Sequence, residues 1–254
     1  MRIRRPYAIA LAVLAAAAVI GTGFALAATS SHFTFKATPK KVPKKKYKAG
    51  ALKTDLITDY DPVPSASNAV DRTRLYLDKN WRVNPKAAKK CDGTQLKGLT
   101  MAGAMQACGK ALVGKGIATA WTGHLDHGCV LLFNGKPQHK KPTLQVFTRT
   151  DLTGATPDCS DPKHNNFNGV TTVLNGVYKK AHAKKYGKVL DVNHITQATG
   201  GVPLVEYKTK VKHKDYSSAR CKAKNQKWHM QIKWTYKDGT KTTVHKTQKC
   251  KVKH

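Results

Sequence analysis

The segment between Cys221 and Cys250 constrains the fold more than any other, because its residues alternate between apolar and polar over ten positions. A period of two is typical of a β-strand with one buried face. The returning strand would run over residues 240–249, so the segment predicts a β-hairpin that carries much of the core. The residues predicted to share its buried face are Trp228, Met230, Ile232, Trp234 and Tyr236.

The turn of this hairpin can be built in two registers, which differ in the side chains that meet. A two-residue turn would place Ile232 opposite His245, whereas the three-residue turn Lys237-Asp238-Gly239 places it opposite Val244. A slip of one residue moves every side chain to the other face of the sheet. We predict the three-residue turn, because it pairs two apolar residues and puts Gly239 in the left-handed conformation of a bulged type I turn.

The N-terminal segment has the features of a secretory signal peptide. Arginines at positions 2, 4 and 5 precede an alanine-rich apolar run over residues 8–24, and Ala25-Leu26-Ala27 matches a cleavage site of small residues. The alternative is an uncleaved membrane anchor, although the run is slightly short for a span. We predict cleavage of residues 1–27, an extracellular protein of residues 28–254, and no integral membrane segment after signal cleavage, because no second apolar run of spanning length follows.

The composition of residues 28–254 favours strands and turns over helices. Glu206 is the only glutamate, whereas threonine, valine, glycine and asparagine are plentiful, and short apolar stretches recur between turn-forming residues. This pattern predicts one all-β domain, an antiparallel β-sandwich of the Ig-like or jelly-roll-like kind with a short helical insert and disulfides. The helical segment is expected at 96–107, a lysine-rich loop at 39–50, and a second basic loop at 179–188.

A further hairpin is expected in the middle of the chain. Residues 129–133 and 143–148 would pair across a long turn that contains Asn134-Gly135, since this dipeptide is typical of turns. Gly114 and Gly116 resemble a phosphate-binding loop, but the stretch lacks the third glycine of G-x-G-x-x-G and the Gly-Lys-Ser/Thr of a P-loop. The small residues around them indicate a closely packed strand instead.

All six cysteines lie beyond the signal peptide, and an even number in an exported protein predicts disulfides. Six cysteines allow fifteen pairings, and the pairing of sequence neighbours is the simplest. The alternative is a metal site, but no CxxC or HxxxH spacing supports it. We therefore predict structural disulfides, no metal and no cofactor. The predicted pairs are Cys91–Cys108, Cys129–Cys159 and Cys221–Cys250.

Several stretches together suggest a family. Asn84-Pro85-Lys86-Ala87 leads to Cys91, a second cysteine follows, and then comes the Val-Gly-x-Gly-x-Ala-x-Ala run that starts at Val113. With the Trp-x-aromatic hairpin that closes the chain, this arrangement resembles uncharacterised secreted β-sandwich proteins of high-GC Gram-positive (actinobacterial) soil bacteria. The resemblance implies an extracellular β-sandwich and no assigned catalytic residue. The chain departs from that group in carrying Cys129 and Cys159.

His124-Leu125-Asp126-His127 is the densest group of titratable side chains. On a strand, His124 and Asp126 would share one side and His127 would lie on the other, so only two metal ligands would converge. A Ser-His-Asp triad can assemble from distant positions, but the chain has no G-x-S-x-G motif. We predict a polar turn here, no catalytic residues and no enzyme activity. The alternative is a secreted hydrolase on a β scaffold.

Positive charge is the strongest functional signal in the sequence. The chain carries 46 Lys and Arg against 14 Asp and Glu, a net charge of +32, which signal cleavage would lower to +29 by removing three arginines. Such a surface attracts polyanions in a salt-dependent way. Lysine greatly outnumbers arginine, whereas the reading of bases favours arginine, so we expect no sequence-specific recognition of nucleic acid.

The charge predicts a binding or structural module at the cell surface, with general affinity for anionic cell-wall polymer or acidic polysaccharide. The alternative is that the charge only keeps the protein soluble. The lysines predicted to take part lie in the loop at 39–50 and on the C-terminal strands. They are Lys44, Lys45, Lys46, Lys208, Lys210, Lys212 and Lys233.

The first testable prediction is that the protein is exported and loses its N-terminal segment. If residues 1–27 are a signal peptide, Edman or mass-spectrometric sequencing of the extracellular protein should find an N-terminus at or near Ala28. An extracellular product that still begins at Met1 would show that the segment is retained.

Overall fold

The computed structural model describes residues 30–60 and 63–253, so the predicted signal peptide lies outside the described residues. The described chain is mostly β-structure, with two short α-helices, α1 (Met101–Cys108) and α2 (Ile195–Ala198). The strands are β1 (Ser30–Thr38), β2 (Lys41–Pro43), β3 (Lys48–Ala49), β4 (Ala51–Asp59), β5 (Val70–Asp78), β6 (Trp81–Val83), β7 (Leu112–Trp121), β8 (Leu125–Gln138), β9 (Lys141–Asp151), β10 (Val170–Ala183), β11 (Tyr186–Val192), β12 (Leu204–Val211), β13 (Ser217–Ala219), β14 (Lys227–Tyr236), β15 (Lys241–Lys249) and β16 (Lys251–Lys253).

Eleven strands form one sheet in the order β1-β4-β12-β7-β8-β9-β10-β11-β5-β14-β15. All neighbours in this sheet run antiparallel. Because the number of strands is odd, the edge strands β1 and β15 run in the same direction. The sheet curls until these two edges come into contact, so residues on its concave face meet across a common core, as the layers of a sandwich do.

Two sets of hydrogen bonds join the edges where the sheet closes. Beyond β1 and β15 the chain continues into β2 and β16, which pair in parallel with Val42 opposite Val252. Beside β1, the side-chain amide of Gln248 accepts a hydrogen bond from the backbone N–H of Ala37 at 2.7 Å and donates one to its carbonyl oxygen at 2.8 Å. Gln248 therefore supplies to Ala37, which is fully buried, the two bonds that a neighbouring strand would make.

The C-terminal hairpin has the predicted register. Ile232 lies opposite Val244, and Gly239 has a φ of +86°. The five predicted core residues of β14 are all buried. Trp228 packs edge-on against Trp81, with the ring centroids 5.5 Å apart, and this contact joins the hairpin to a three-stranded sheet, β3-β13-β6, whose buried residues belong to the same core.

The helical insert covers part of the outer face of the large sheet. The segment predicted at 96–107 is a 3-10 turn, Gly93–Leu96, followed by α1. Thr100 caps α1 by accepting a hydrogen bond from a backbone N–H of its first turn, as helix N-caps do. The insert and the strands beneath it form a second core cluster, which includes Leu96, Met101, Leu131, Phe133 and Phe147.

Both the fold class and the disulfide pairing are confirmed. The described chain is all-β and predominantly antiparallel, with a short helical insert. The cysteines pair as sequence neighbours: Cys91 with Cys108, Cys129 with Cys159, and Cys221 with Cys250. The first bridge ties the insert to the sheet, and the last joins the segment before β14 to the start of β16.

Three local predictions need correction. Residues 39–50 are not only a loop, because they contain β2 and β3. Residues 179–188 are not a loop: β10 and β11 extend through them, and Lys180 pairs with Lys188. The central hairpin turns at His139-Lys140, both with positive φ, and Asn134 lies inside β8. Asn134 is fully buried and donates to three carbonyl oxygens of residues 85–89, so its amide is used in packing and not in a turn.

The closure of the sheet is tested by Gln248→Ala. The change leaves the buried N–H and C=O of Ala37 without partners, so we expect the free energy of unfolding to fall by about 1–3 kcal/mol. Urea denaturation measures the difference. Thr247→Ala, on the exposed outer side of the same strand, is the control and should cost less than about 1 kcal/mol. Equal losses in the two variants would show that Gln248 does not hold the edges together.

Candidate functional site

The antiparallel topology sends the connections between strands alternately to the two ends of the curled sheet. We call the end at which β1, β12 and β15 finish the basic end. The connections at the basic end are 39–50, 79–111, 139–140, 184–185, 212–226 and 250–253. The connections that leave the opposite end are 60–69, 122–124, 152–169, 193–203 and 237–240.

Charge is distributed unequally between these ends. The connection 39–50 has six lysines and no acid, and 212–226 has five Lys and Arg against one acid. At the opposite end, 122–124 and 193–203 contain no Lys, Arg, Asp or Glu. The excess positive charge of the chain is therefore concentrated at one end of the molecule.

Four lysines from neighbouring strands stand side by side near the basic end. Lys36 of β1 lies opposite Lys53 of β4. Lys53 lies opposite Lys210 of β12, which in turn lies opposite Lys115 of β7. Because the residues next to them point into the core, these four side chains project from the outer face. Neighbouring strands are about 4.8 Å apart, so this lysine row spans roughly 15 Å.

The lysine row costs the fold stability, because like charges directly opposite each other in a sheet repel. The only hydrogen bond of a row ammonium among the described residues is that of Lys115, which donates to the carbonyl oxygen of Ser160 at 2.7 Å. Because this repulsion does not help the chain to fold, we expect the lysine row to serve a purpose other than stability. Further cation pairs face each other across strands: Lys41–Lys251, Arg74–Lys233, Lys180–Lys188 and Lys227–Lys249.

The connection 39–50 is held in place at the basic end. Two guanidinium groups lie over the ring of Tyr47, with Arg82 at 5.2 Å and Arg220 at 4.7 Å from its centroid. Cations above an aromatic face are attracted by its quadrupole, and β3 also pairs with β13. The exposed Lys44, Lys45 and Lys46 are therefore carried on an anchored segment at the basic end.

The other predicted lysines differ in their surroundings. Lys210 belongs to the lysine row, and Lys212 follows it just beyond the end of β12, exposed. Lys208 projects from β12, but its ammonium lies 2.6 Å from Glu206, and this hydrogen bond raises the pKa of Lys208 and offsets its charge. Lys233 lies over the ring of Tyr76 on β5, outside the row.

Sequence reasoning missed three of the four row lysines. The three that were missed, Lys36, Lys53 and Lys115, point outward from strands that carry few other charged residues. A single lysine on a strand is typical of any exposed face. Only the register between β1, β4, β12 and β7 shows that these lysines are neighbours, and register between strands distant in sequence was not predictable from the pattern.

Some of the remaining cations on the outer face are already neutralised. Asp191 of β11 is buried, and it accepts hydrogen bonds from Arg72 at 2.6 and 2.8 Å and from Lys179 at 2.6 Å. Burial alone would raise the pKa of Asp191, but these hydrogen bonds outweigh it and hold the pKa below its ordinary value. Asp191 therefore offsets part of the positive charge on this part of the sheet.

The cluster at His124 is assembled as a pair. Nε2 of His124 lies 2.9 Å from Oδ1 of the fully buried Asp126, although not in good hydrogen-bond geometry, and the Thr122 hydroxyl donates to the other carboxylate oxygen. His127 points away and faces Thr119 at 3.3 Å. Among the described residues, the other contact of the His124 ring is the carbonyl oxygen of Leu152. The Thr122 hydroxyl is hydrogen-bonded to Asp126, with no hydrogen bond to His124, and the alternative of a hydrolase stays a prediction.

The described residues contain no group of three His, Cys, Asp or Glu side chains that could hold a metal ion. In the same part of the chain, none of the helices has the length and hydrophobicity of a transmembrane span.

Comparison with known proteins finds no matching family model, no matching curated protein and no matching solved structure. The resemblance to secreted actinobacterial proteins therefore stays a prediction.

The strain in the lysine row is tested by Lys53→Gln, which removes the charge that faces both Lys36 and Lys210. We expect the free energy of unfolding in urea to rise by about 0.2–1 kcal/mol at low salt. The gain should shrink towards 1 M salt, where the Debye length falls to about 3 Å. Lys237→Gln at the opposite end is the control and should change little at any salt concentration. A loss of stability in Lys53→Gln would contradict repulsion within the row.

Proposed function

We propose that this protein is an extracellular binding module that attaches through its basic end to anionic polymers of the cell envelope, such as cell-wall polymer or acidic polysaccharide. The lysine row carries the proposal, because it gathers four like charges of which only Lys115 makes a side-chain hydrogen bond among the described residues. Three disulfides fit an oxidising compartment outside the cytosol.

The row suits a polymer with regularly spaced anionic groups. Its ammonium groups project from strands that are about 4.8 Å apart, and lysine side chains are flexible enough to adjust to the spacing of the polymer. Lysine acts as a compact point charge with no fixed fork of donors. Binding of this kind is general for polyanions and indifferent to the order of their units.

A role in solubility alone explains the arrangement less well. Net charge keeps a protein soluble wherever on the surface it lies, and dispersed charges would avoid the repulsion between Lys36, Lys53, Lys210 and Lys115. Concentrating charge at one end also makes the molecule electrically asymmetric. An asymmetric molecule presents one end to an anionic surface.

The proposal is tested by retention on heparin and on purified cell wall between about 50 and 500 mM salt. Counterion release makes the logarithm of affinity fall linearly with the logarithm of salt concentration. We expect strong retention at low salt. In the double variant Lys53→Gln/Lys210→Gln, the slope should decrease by about one for each lysine removed.

Lys237→Gln/Lys241→Gln is the matched control, because it removes the same charge from exposed lysines at the opposite end. We expect its slope to stay close to that of the unmodified protein. Equal effects of the two double variants, or weak retention at low salt, would leave the charge as a solubility device.

A further inference from the structure

The core of the curled sheet contains a cavity of about 130 Å³. Its walls come from eight strands of the large sheet and include Leu75, Leu190 and Ile232, and no Lys, Arg, Asp or Glu side chain lines it. Protein interiors are normally packed as closely as organic crystals. Cavities of roughly 150 Å³ lined by aliphatic side chains stay dry and bind molecules the size of benzene.

A second cavity of about 220 Å³ adjoins the first. The two cavities share three lining residues, Leu174, Ile195 and Leu204, so they are separated by little more than side chains. The second cavity also has no charged lining residue. Its walls include Thr150 at the end of β9 and Val202 in the connection 193–203, which places it at the end opposite the basic end.

The first cavity also holds polar groups that lack partners. Tyr207 and Tyr216 both line this cavity, and their hydroxyls are buried without a hydrogen-bond partner among the described residues. Thr148 lies close to Tyr207 and Tyr178 lies close to Tyr216, but neither contact has the geometry of a hydrogen bond. A buried polar group without a partner is costly and calls for an explanation.

Burial keeps these hydroxyls protonated. It raises the pKa of Tyr178 to about 12 and also raises the pKa of Tyr207 and Tyr216 well above the ordinary value. At neutral pH each is therefore a neutral O–H that can donate a hydrogen bond. Tyr216 has no exposed surface, so water at the outside of the protein does not satisfy it.

Exposed apolar side chains gather at the end where the second cavity lies. Leu152 is 46% exposed and Val170 is 52% exposed, and both line that cavity. Val63 and Leu125, also exposed, belong to the same end of the sheet. Of the large apolar residues exposed in the described chain, only Ile117 lies elsewhere, on the outer face of β7. An apolar rim is what a ligand poorly soluble in water would meet on entry.

We propose that the two cavities together form a binding site for a neutral, largely apolar small molecule that carries one hydrogen-bonding oxygen. The aliphatic walls enclose the apolar part, of the size of one or two rings, and the hydroxyl of Tyr207 or Tyr216 donates to the oxygen. A few placed polar groups in an apolar cavity are typical of small-molecule sites. A charged ligand is excluded because its charge would be buried without a counter-charge.

The site is tested by fluorescence titration of the full chain with two probes, 1-naphthol and naphthalene, at pH 7. They have the same rings and differ by one hydroxyl. We expect both to bind with one site per chain and 1-naphthol to bind about 3–10 times more tightly, the factor that one hydrogen bond supplies. Raising salt from about 50 to 500 mM should leave both affinities unchanged, which separates this site from the basic end.

Three variants locate the site. Leu174→Phe places a ring between the two cavities and should weaken both probes at least tenfold, whereas Ile117→Phe adds a ring on the outer face of β7, away from the cavities, and should weaken neither. Tyr207→Phe/Tyr216→Phe preserves the packing, so it should lower the affinity for 1-naphthol to that for naphthalene and leave naphthalene unchanged.

Two results would overturn the proposal. One is that neither probe binds up to its solubility limit. The other is that the protein does not prefer 1-naphthol over naphthalene, or that Tyr207→Phe/Tyr216→Phe keeps this preference. This comparison of the two probes tests the proposal even if Leu174→Phe does not fold.

Discussion

The odd number of strands in the large sheet is the constraint on which the rest of the structure depends. Eleven antiparallel strands leave β1 and β15 pointing the same way, so the edges cannot be joined by extending the antiparallel pattern. The edges are joined instead by a short parallel pair of strands, β2 and β16. The side-chain amide of Gln248 also joins them, because it hydrogen-bonds to both the backbone N–H and the carbonyl oxygen of Ala37. The bridge between Cys221 and Cys250 fixes the start of β16 and so supports the parallel pair. Unpaired edges invite association with other chains, and here the two edges of the large sheet lie in contact with each other.

Closure of the sheet also separates the molecule into two ends with different chemistry. Connections rich in lysine collect at one end, where β3, β13 and β6 lie and where Trp81 and Trp228 close the core. At the other end the connections carry little charge, and apolar side chains such as Leu152 and Val170 surround a cavity. A molecule held to an anionic polymer by its basic end would turn this cavity away from the polymer. The two proposed activities therefore do not compete for the same surface.

The parts that the sequence predicted are those encoded locally. The alternation from Trp228 to Tyr236 and the position of Gly239 determine the register of the hairpin, because both strands and the turn are contiguous in the chain. The even number of cysteines and their order predicted the bridges. The strand through Lys180 was missed because Lys179 and Lys180 are consecutive lysines, so apolar and polar residues do not alternate there. The lysine row and the cavity depend on contacts between different strands, such as that of Lys53 with Lys210, and no pattern within one strand reports such contacts.

Gly114 and Gly116 of β7, which resemble a phosphate-binding loop in the sequence, instead allow β7 to pack closely against β12 beside the lysine row. A Cβ added at Gly116 would lie 1.9 Å from the carbonyl oxygen of Lys208, and one at Gly114 would lie 2.6 Å from that of Lys210. Only glycine allows β7 to approach β12 so closely. Lys115 stands between these two glycines and projects from the other face, so the same close approach brings it beside Lys210. The Gly-Lys-Gly sequence thus has no loop to cradle a phosphate with its backbone. It instead places an ammonium group in a row where anionic groups of a polymer can meet it.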